Sequence, residues 1–191
     1  FGHQRQGNVA LLRELGEELG FEVLGLGLVG LGGQPARDHE QVSSTFIRRA
    51  LSRGDLERAN AMLGRPYEIR GPVGGGDRRG RELGFPTANV RVDPATLLPE
   101  DGVYAGWYVR PDGTRQACAI NLGRRPTFYE HADSSLLEAH LIDFAGDLYG
   151  EHARVQFTNF LRGERKFDGI DWIRTQLKQD IEHARQALGL G

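Results

Sequence analysis

Residues 74–89 gather the backbone and side chains best suited to hold a phosphorylated ligand. Gly74-Gly75-Gly76 leaves consecutive N–H groups unshielded by Cβ atoms, so the loop can approach phosphate oxygens closely. Arg81 can set a fixed positive charge nearby, and Thr87 and Asn89 offer a hydroxyl and an amide carbonyl two residues apart. In an extended segment both oxygens point to one face. Hard oxygens beside a phosphate cradle suit Mg²⁺, which keeps waters and substrate phosphates as its other ligands. The stretch predicts a Mg-nucleotide site with Thr87 and Asn89 as metal ligands. Two better-known phosphate motifs do not apply. Gly75 to Gly80 has P-loop spacing, but Arg81 and Glu82 stand where Lys and Ser/Thr are required. Gly74, Gly76 and Gly80 are spaced G-x-G-x-x-x-G, which departs from the dinucleotide fingerprint. Spacing alone also admits a plain glycine loop closed by a proline turn.

The elements that must position this stretch change character along the chain. Asn8 can cap a helix with apolar Val9, Leu12, Leu15 and Leu19, ended by Gly20. Phe21 to Leu28 reads as a buried strand. Ser43 or Ser44 can start a second helix through Ile47 and Leu51, and Asp55 a third ending near Gly64. Gly64-Arg65-Pro66 is the expected domain boundary, separating residues 1–63 from 64–191. Beyond it, alternation at Tyr67 to Arg70, Val103 to Val109 and Ala153 to Phe160 predicts strands, with a hairpin turn at Pro111-Asp112-Gly113. Many short strands suggest a compact antiparallel barrel. A last amphipathic helix carries Ile170, Ile173, Leu177, Ile181, Ala184 and Leu188 on one stripe, expected to cover a barrel opening.

Composition narrows the partners. A net charge of −2 and a pI near 6.3 give no electrostatic reason to expect nucleic acid or an anionic membrane. No apolar run approaches the ~20 residues of a membrane span. The single cysteine, Cys118, excludes an internal disulfide and fits a reducing, cytoplasmic setting, where a small buried thiol is expected. A first residue of Phe1 leads to the expectation that an N-terminal portion precedes this sequence. Oligomeric state is not written in the composition.

The run Gly80-Arg81-Glu82-Leu83-Gly84-Phe85-Pro86-Thr87-Ala88-Asn89 resembles the signature of riboflavin kinases, the flavokinase module of bacterial bifunctional riboflavin kinase/FAD synthetases. The resemblance continues through Asp101 to Tyr104, Asn121 to Phe128, Leu137 to Leu141 and Leu161 to Phe167. It implies a six-stranded Greek-key barrel with a C-terminal helix, and transfer of the γ-phosphate of ATP to riboflavin with Mg²⁺, giving FMN and ADP. It also implies roles. Glu138 would deprotonate the ribityl 5′-hydroxyl, Gly75 and Arg81 would contact nucleotide phosphates, and Arg162, Arg165 and Phe167 would contact flavin, with Asn121 and Tyr104 lining the site. From the residues alone, Glu138 is equally a rim carboxylate on the strand face shared by Leu136, His140 and Ile142, and Phe167 equally a core residue. His140 is read as structural.

Val42 to Arg48 resembles a phosphate motif of the FAD synthetase domain that precedes the flavokinase. Ser43, Ser44, Thr45 and Arg48 would hold an anion at a helix start. In isolation the same residues make an ordinary helix cap. The residues before 64 therefore read as an incomplete α/β, Rossmann-like nucleotidyltransferase segment. That domain's H-x-G-H motif is absent from residues 1–63, so this chain by itself is expected to make no FAD.

Overall fold

Each of the first helices begins where a short polar side chain substitutes for a missing backbone acceptor. The computed structural model describes residues 2–36, 42–75, 80, 83–124, 135–165 and 169–190. Helix α1, Val9–Leu19, starts at Asn8, whose Oδ1 accepts from the Leu11 N–H at 2.9 Å. It ends at Gly20, which takes the left-handed conformation (φ 75°). Ser43 Oγ accepts from Phe46 N–H at 3.3 Å to open α2, Ser44–Leu51. Asp55 Oδ1 accepts from Arg58 N–H at 3.2 Å to open α3, Leu56–Leu63.

Two units can be separated in space, Phe1–Val42 and Ser43–Gly191. In the first, the strand expected over Phe21 to Leu28 does not form. Leu24 and Leu26 are 82 % and 84 % exposed, and the only bridge described in this unit joins Val29 to Pro35. A run of apolar residues becomes a buried strand only when neighbouring strands accept its backbone and cover its faces. None among the described residues does so.

In the second unit all strand pairs are antiparallel. The strands are β1 (Tyr67–Gly74), β2 (Ala88–Arg91), β3 (Gly102–Val109), β4 (Arg115–Arg124), β5 (Ser135–Leu141) and β6 (His152–Gly163). They close into a barrel in the order β1-β2-β5-β4-β3-β6. The β3–β4 hairpin turns where expected, with Asp112 Oδ1 accepting from Thr114 N–H at 2.9 Å. Alternation sorts the faces: Ile69, Tyr104, Tyr108, Cys118, Ile120, Leu122, Leu137, Val155 and Phe157 fill the interior. Burial pushes the Cys118 thiol pKa up, consistent with an inert core cysteine. Two strand crossings require glycine. A Cβ on Gly71 would stand 1.9 Å from the Arg91 carbonyl oxygen, and one on Gly106 would stand 2.0 Å from that of Gln156. Gly106 adjoins a register shift between β3 and β6, and a second shift lies at Val103/Tyr104.

Helices α2 and α3 close one end of the barrel. Leu51, Leu56 and Ala59 join the interior cluster beside Ile69 and Phe157. Asn60 fastens them, donating from Nδ2 to the Phe157 carbonyl (2.9 Å) and accepting from Tyr67 N–H (2.7 Å). The boundary expected at Gly64 thus falls inside this spatial unit.

The last helix, α4 (Ile170–Ala187), corrects an expectation: it lies on the barrel wall and not across an opening. Ala105, Ala117 and Ala119 face outward from β3 and β4 and form a shallow bed, on which Ala184 and Ile181 sit with Leu188 beyond the helix end. Ile170, expected on the buried stripe, is 61 % exposed. Arg162 of β6 holds the helix through a bidentate pair with buried Asp180, Nε to Oδ1 at 2.8 Å and Nη2 to Oδ2 at 2.7 Å. No helix among the described residues is long and apolar enough to cross a membrane.

Two substitutions test this account. Asn60→Ala strands two backbone groups and is expected to lower unfolding free energy by about 1–3 kcal/mol in urea titrations. Asp180→Ala removes the bidentate carboxylate that holds Arg162 beneath α4, with an expected loss of about 3–5 kcal/mol in the same assay.

Candidate active site

One row of cross-strand neighbours runs through all six strands. Gly74 pairs with Asn89, Asn89 with Glu138, Glu138 with Asn121, Asn121 with Val103, and Val103 with Arg162. Residues of a row share a face, and this row shares its parity with Ala119 and His140, which face outward. Asn89, Glu138 and Asn121, all half-buried, therefore stand side by side on the outer surface, about 4.8 Å apart from strand to strand. Gly74 and Gly75 leave β1 at the end of the same row. Gly75 has open space around the position of a Cβ.

At the barrel end opposite α3 lies a cavity of about 560 Å³. One wall comprises Val73 and Pro86 to Asn89; the other is Phe144 to Tyr149. Thr87 and Asn89 line it together, as expected for two oxygens on one face. Asn89 Oδ1 is buried and has no hydrogen-bond partner, while its Nδ2 reaches the Thr87 carbonyl only at 3.5 Å. A buried carbonyl oxygen without a donor is costly. A neutral hard acceptor with Thr87 beside it fits a divalent cation of the Mg²⁺ type.

The turn preceding β2 is held from two sides. Phe85 N–H donates to the Gly80 carbonyl at 2.7 Å, and a Cβ on Gly80 would stand 2.5 Å from the Phe85 oxygen. His140 Nδ1 lies 2.8 Å from the Pro86 carbonyl, an acceptor only, so Nδ1 carries the proton and donates. Its ring meets Phe85 edge to face, centroids 5.9 Å apart. His140 is thus structural, as its sequence context suggests, and it ties the Thr87 turn to the strand carrying Glu138.

The remaining expected residues are distributed differently. Arg165 is exposed beyond the end of β6. Arg162 is committed to Asp180 and, through Nη1, to its neighbour's carbonyl, Gly163, at 3.0 Å. Tyr104 does not line the site: it is fully buried in the core, with its hydroxyl donating to the Glu100 carbonyl. Its alternation partner Val103 takes the outward place. Ser43 is spent as the α2 cap, and Ser44, Thr45 and Arg48 are exposed on α2, which packs at the barrel end away from the cavity. Arg81 and Phe167 lie outside the described residues. The wall at 144–149 was not anticipated; its available signal was a glycine- and aspartate-bearing connection between two strands.

A closed barrel with a polar row passing a cavity at its mouth defines a small ligand-binding β-barrel. The chain belongs to the riboflavin kinase family, whose model (Flavokinase) matches residues 63–188. The matched residues take in all six strands of the barrel. The chain is 38 % identical over 97 % of its length to the bifunctional riboflavin kinase/FMN adenylyltransferase of Haemophilus influenzae, of which it covers 57 %. The protein of the same description from Escherichia coli K12 is 36 % identical over 100 % of this chain, with 58 % of that protein covered. The chain thus spans little more than half the length of these curated relatives. Among solved structures, a chain described as a macrolide-efflux protein from Streptococcus pneumoniae superposes with a TM-score of 0.77 at 31 % identity, covering 97 % of this chain and 57 % of that one. A riboflavin kinase from Trypanosoma brucei shares the fold, with a TM-score of 0.50 at 23 % identity, covering 65 % of this chain and 80 % of that one.

Since Asn89 Oδ1 has no partner to lose, Asn89→Ala is expected to leave the unfolding free energy of the ligand-free protein within about 0.5 kcal/mol of the parent, by thermal or urea unfolding.

Proposed function

We propose that this chain transfers the γ-phosphate of ATP to the 5′-hydroxyl of riboflavin, giving FMN and ADP. The observation that carries the reading is the direct opposition of Asn89 and Glu138 in the β2–β5 register. It sets an oxygen ligand at the cavity mouth one strand spacing from a carboxylate. A hydroxyl held at Glu138 would face a phosphate held at Thr87 and Asn89, which is the positioning that phosphoryl transfer requires.

In this reading Glu138 accepts the 5′-hydroxyl proton as the oxygen–phosphorus bond forms and the bond to the β-phosphate oxygen breaks, releasing ADP. Thr87 and Asn89 hold Mg²⁺. When bound, it neutralises charge on the phosphate oxygens. Gly75 offers backbone to the phosphates and Arg81 a cation. Asn121, next to Glu138, orients the ribityl chain. Arg165 and Phe167 meet the flavin, whose ring suits a cation and an aromatic face. Arg162 acts through α4, fixing the end of β6 from which the flavin segment leaves.

In this reading Ser43, Ser44, Thr45 and Arg48 belong to the phosphate site of the second activity in the relatives' names, and this chain by itself does not carry out that activity. Incubated with riboflavin, ATP and Mg²⁺, this chain should yield FMN and no FAD by liquid chromatography. Glu138→Gln should retain riboflavin and ADP binding while kcat falls by about 10²–10⁴. Riboflavin binding without FMN formation in the parent would instead mark a non-catalytic flavin-binding module.

A further inference from the structure

The cavity wall at 144–149 is turn and coil between β5 and β6; Phe144 and Leu148 pack against the core, and Glu151 fastens the flank that leads into β6. The Glu151 carboxylate takes both arms of the Arg110 guanidinium, Nη2 to Oε1 and Nε to Oε1 at 3.0 Å. Its Oε2 also accepts from the Tyr108 hydroxyl at 3.2 Å. That hydroxyl belongs to a fully buried core tyrosine, and the Glu151 side chain is only 15 % exposed. The main chain is fixed too. Val73 N–H donates to the Glu151 carbonyl at 2.8 Å, and Gly150 N–H donates to the Val73 carbonyl at 3.0 Å. Arg110 then reaches back over the wall itself, its guanidinium carbon 5.8 Å from the centre of the Phe144 ring. Val73 and Phe144 both line the cavity, one on each side.

We infer that Glu151 and Arg110 are positioning residues for the nucleotide: they lock the 144–149 wall to β1 and β3 before the ligand arrives. The inference rests on the kinase reading for the identity of the ligand. Its physical content is preorganisation. A charge-assisted fork anchored on a core tyrosine removes wall freedom that binding would otherwise have to freeze. Neither residue belongs to the row that contains Glu138, so their effect falls on nucleotide affinity and not on the chemical step.

The test compares the parent with Glu151→Gln and Arg110→Lys, the latter keeping the charge but losing the fork. Hydrogen exchange of the Val73 and Gly150 amides should accelerate in both variants without ligand. The KM for ATP should rise about 3–10-fold, the range expected from unfreezing one or two side chains. ADP affinity by calorimetry should fall in proportion while kcat stays within about twofold. Faster exchange, or a lower melting temperature, with unchanged ADP affinity would overturn the inference and leave the pair merely structural. So would a fall in kcat at constant KM, or a parent that binds no ADP. Failure of the kinase reading shows separately, as a parent that forms no FMN; the ADP affinities still decide this inference in that case.

Discussion

The register of β2 against β5, and of β5 against β4, is the constraint on which the rest of the molecule depends. Val90, Leu137 and Leu122 form one row and fill the barrel; Asn89, Glu138 and Asn121 form the next and face out. A slip of one residue would exchange the two rows, burying a carboxylate and two amides while exposing three aliphatic side chains. Burial of each aliphatic is worth about 1.5–3 kcal/mol, so the interior holds the polar row in place far more firmly than any contact within that row could. The site inherits its geometry from the sorting of apolar side chains. Strand β2 shows this most clearly, since four residues carry both a core row and a ligand row.

Closure of the barrel then decides which end can accept a ligand. The β1–β6 and β3–β6 ladders leave no edge, and the tight crossings at Gly71 and Gly106 let the strands curve. Helices α2 and α3 fill the end near Tyr67 and Phe157, fastened by Asn60. With α4 seated on the alanine bed of the wall, no described helix covers the opposite mouth between β2 and the 144–149 connection. A helix across that mouth would displace the ligand, so its place on the wall is as much a condition of access as the cavity itself. The Arg162–Asp180 pair joins these two requirements, because it docks α4 and fixes the end of β6 at once.

How much of this was legible in the sequence follows from the range of the interactions. Asn8, Ser43 and Asp55 cap helices through bonds three residues long, and the sequence shows both partners. The strands of the barrel alternate with period two, and the shared outward face of Leu136, Glu138, His140 and Ile142 follows from that alternation alone. Phe21 to Leu28 has the composition of a buried strand, but composition does not supply the neighbours that make one. The α4 stripe was legible, whereas its seat depended on Ala105, Ala117 and Ala119 sharing one outer patch across two strands. The docking role of Arg162 was not legible, because its buried partner Asp180 is eighteen residues away on another element. Tyr104, expected at the site only from the resemblance, shares its β3 face with Tyr108 and so points into the core, while Val103 pairs with Asn121 in the outward row. Thr87, Asn89 and Glu138 could be named from motifs, but only the register brings the last two into contact distance.

Asn89 presents the sharpest conflict between fold and function. Its Oδ1 is shielded from solvent with no donor in reach, a defect of about 1–3 kcal/mol in the ligand-free state. A residue of similar size with no polar oxygen would suit the isolated fold at least as well. The defect is sustainable because it sits on a strand already held on both sides, by β1 through Val73 and Gly74 and by β5 through four successive pairs. It also stays local, since the turn before it is independently fastened by His140 and by the Gly80–Phe85 bond. A flexible segment would relax to satisfy the oxygen and lose the site. Rigidity on both flanks is therefore what lets the unsatisfied oxygen persist, and in the proposed function a cation and phosphate complete it.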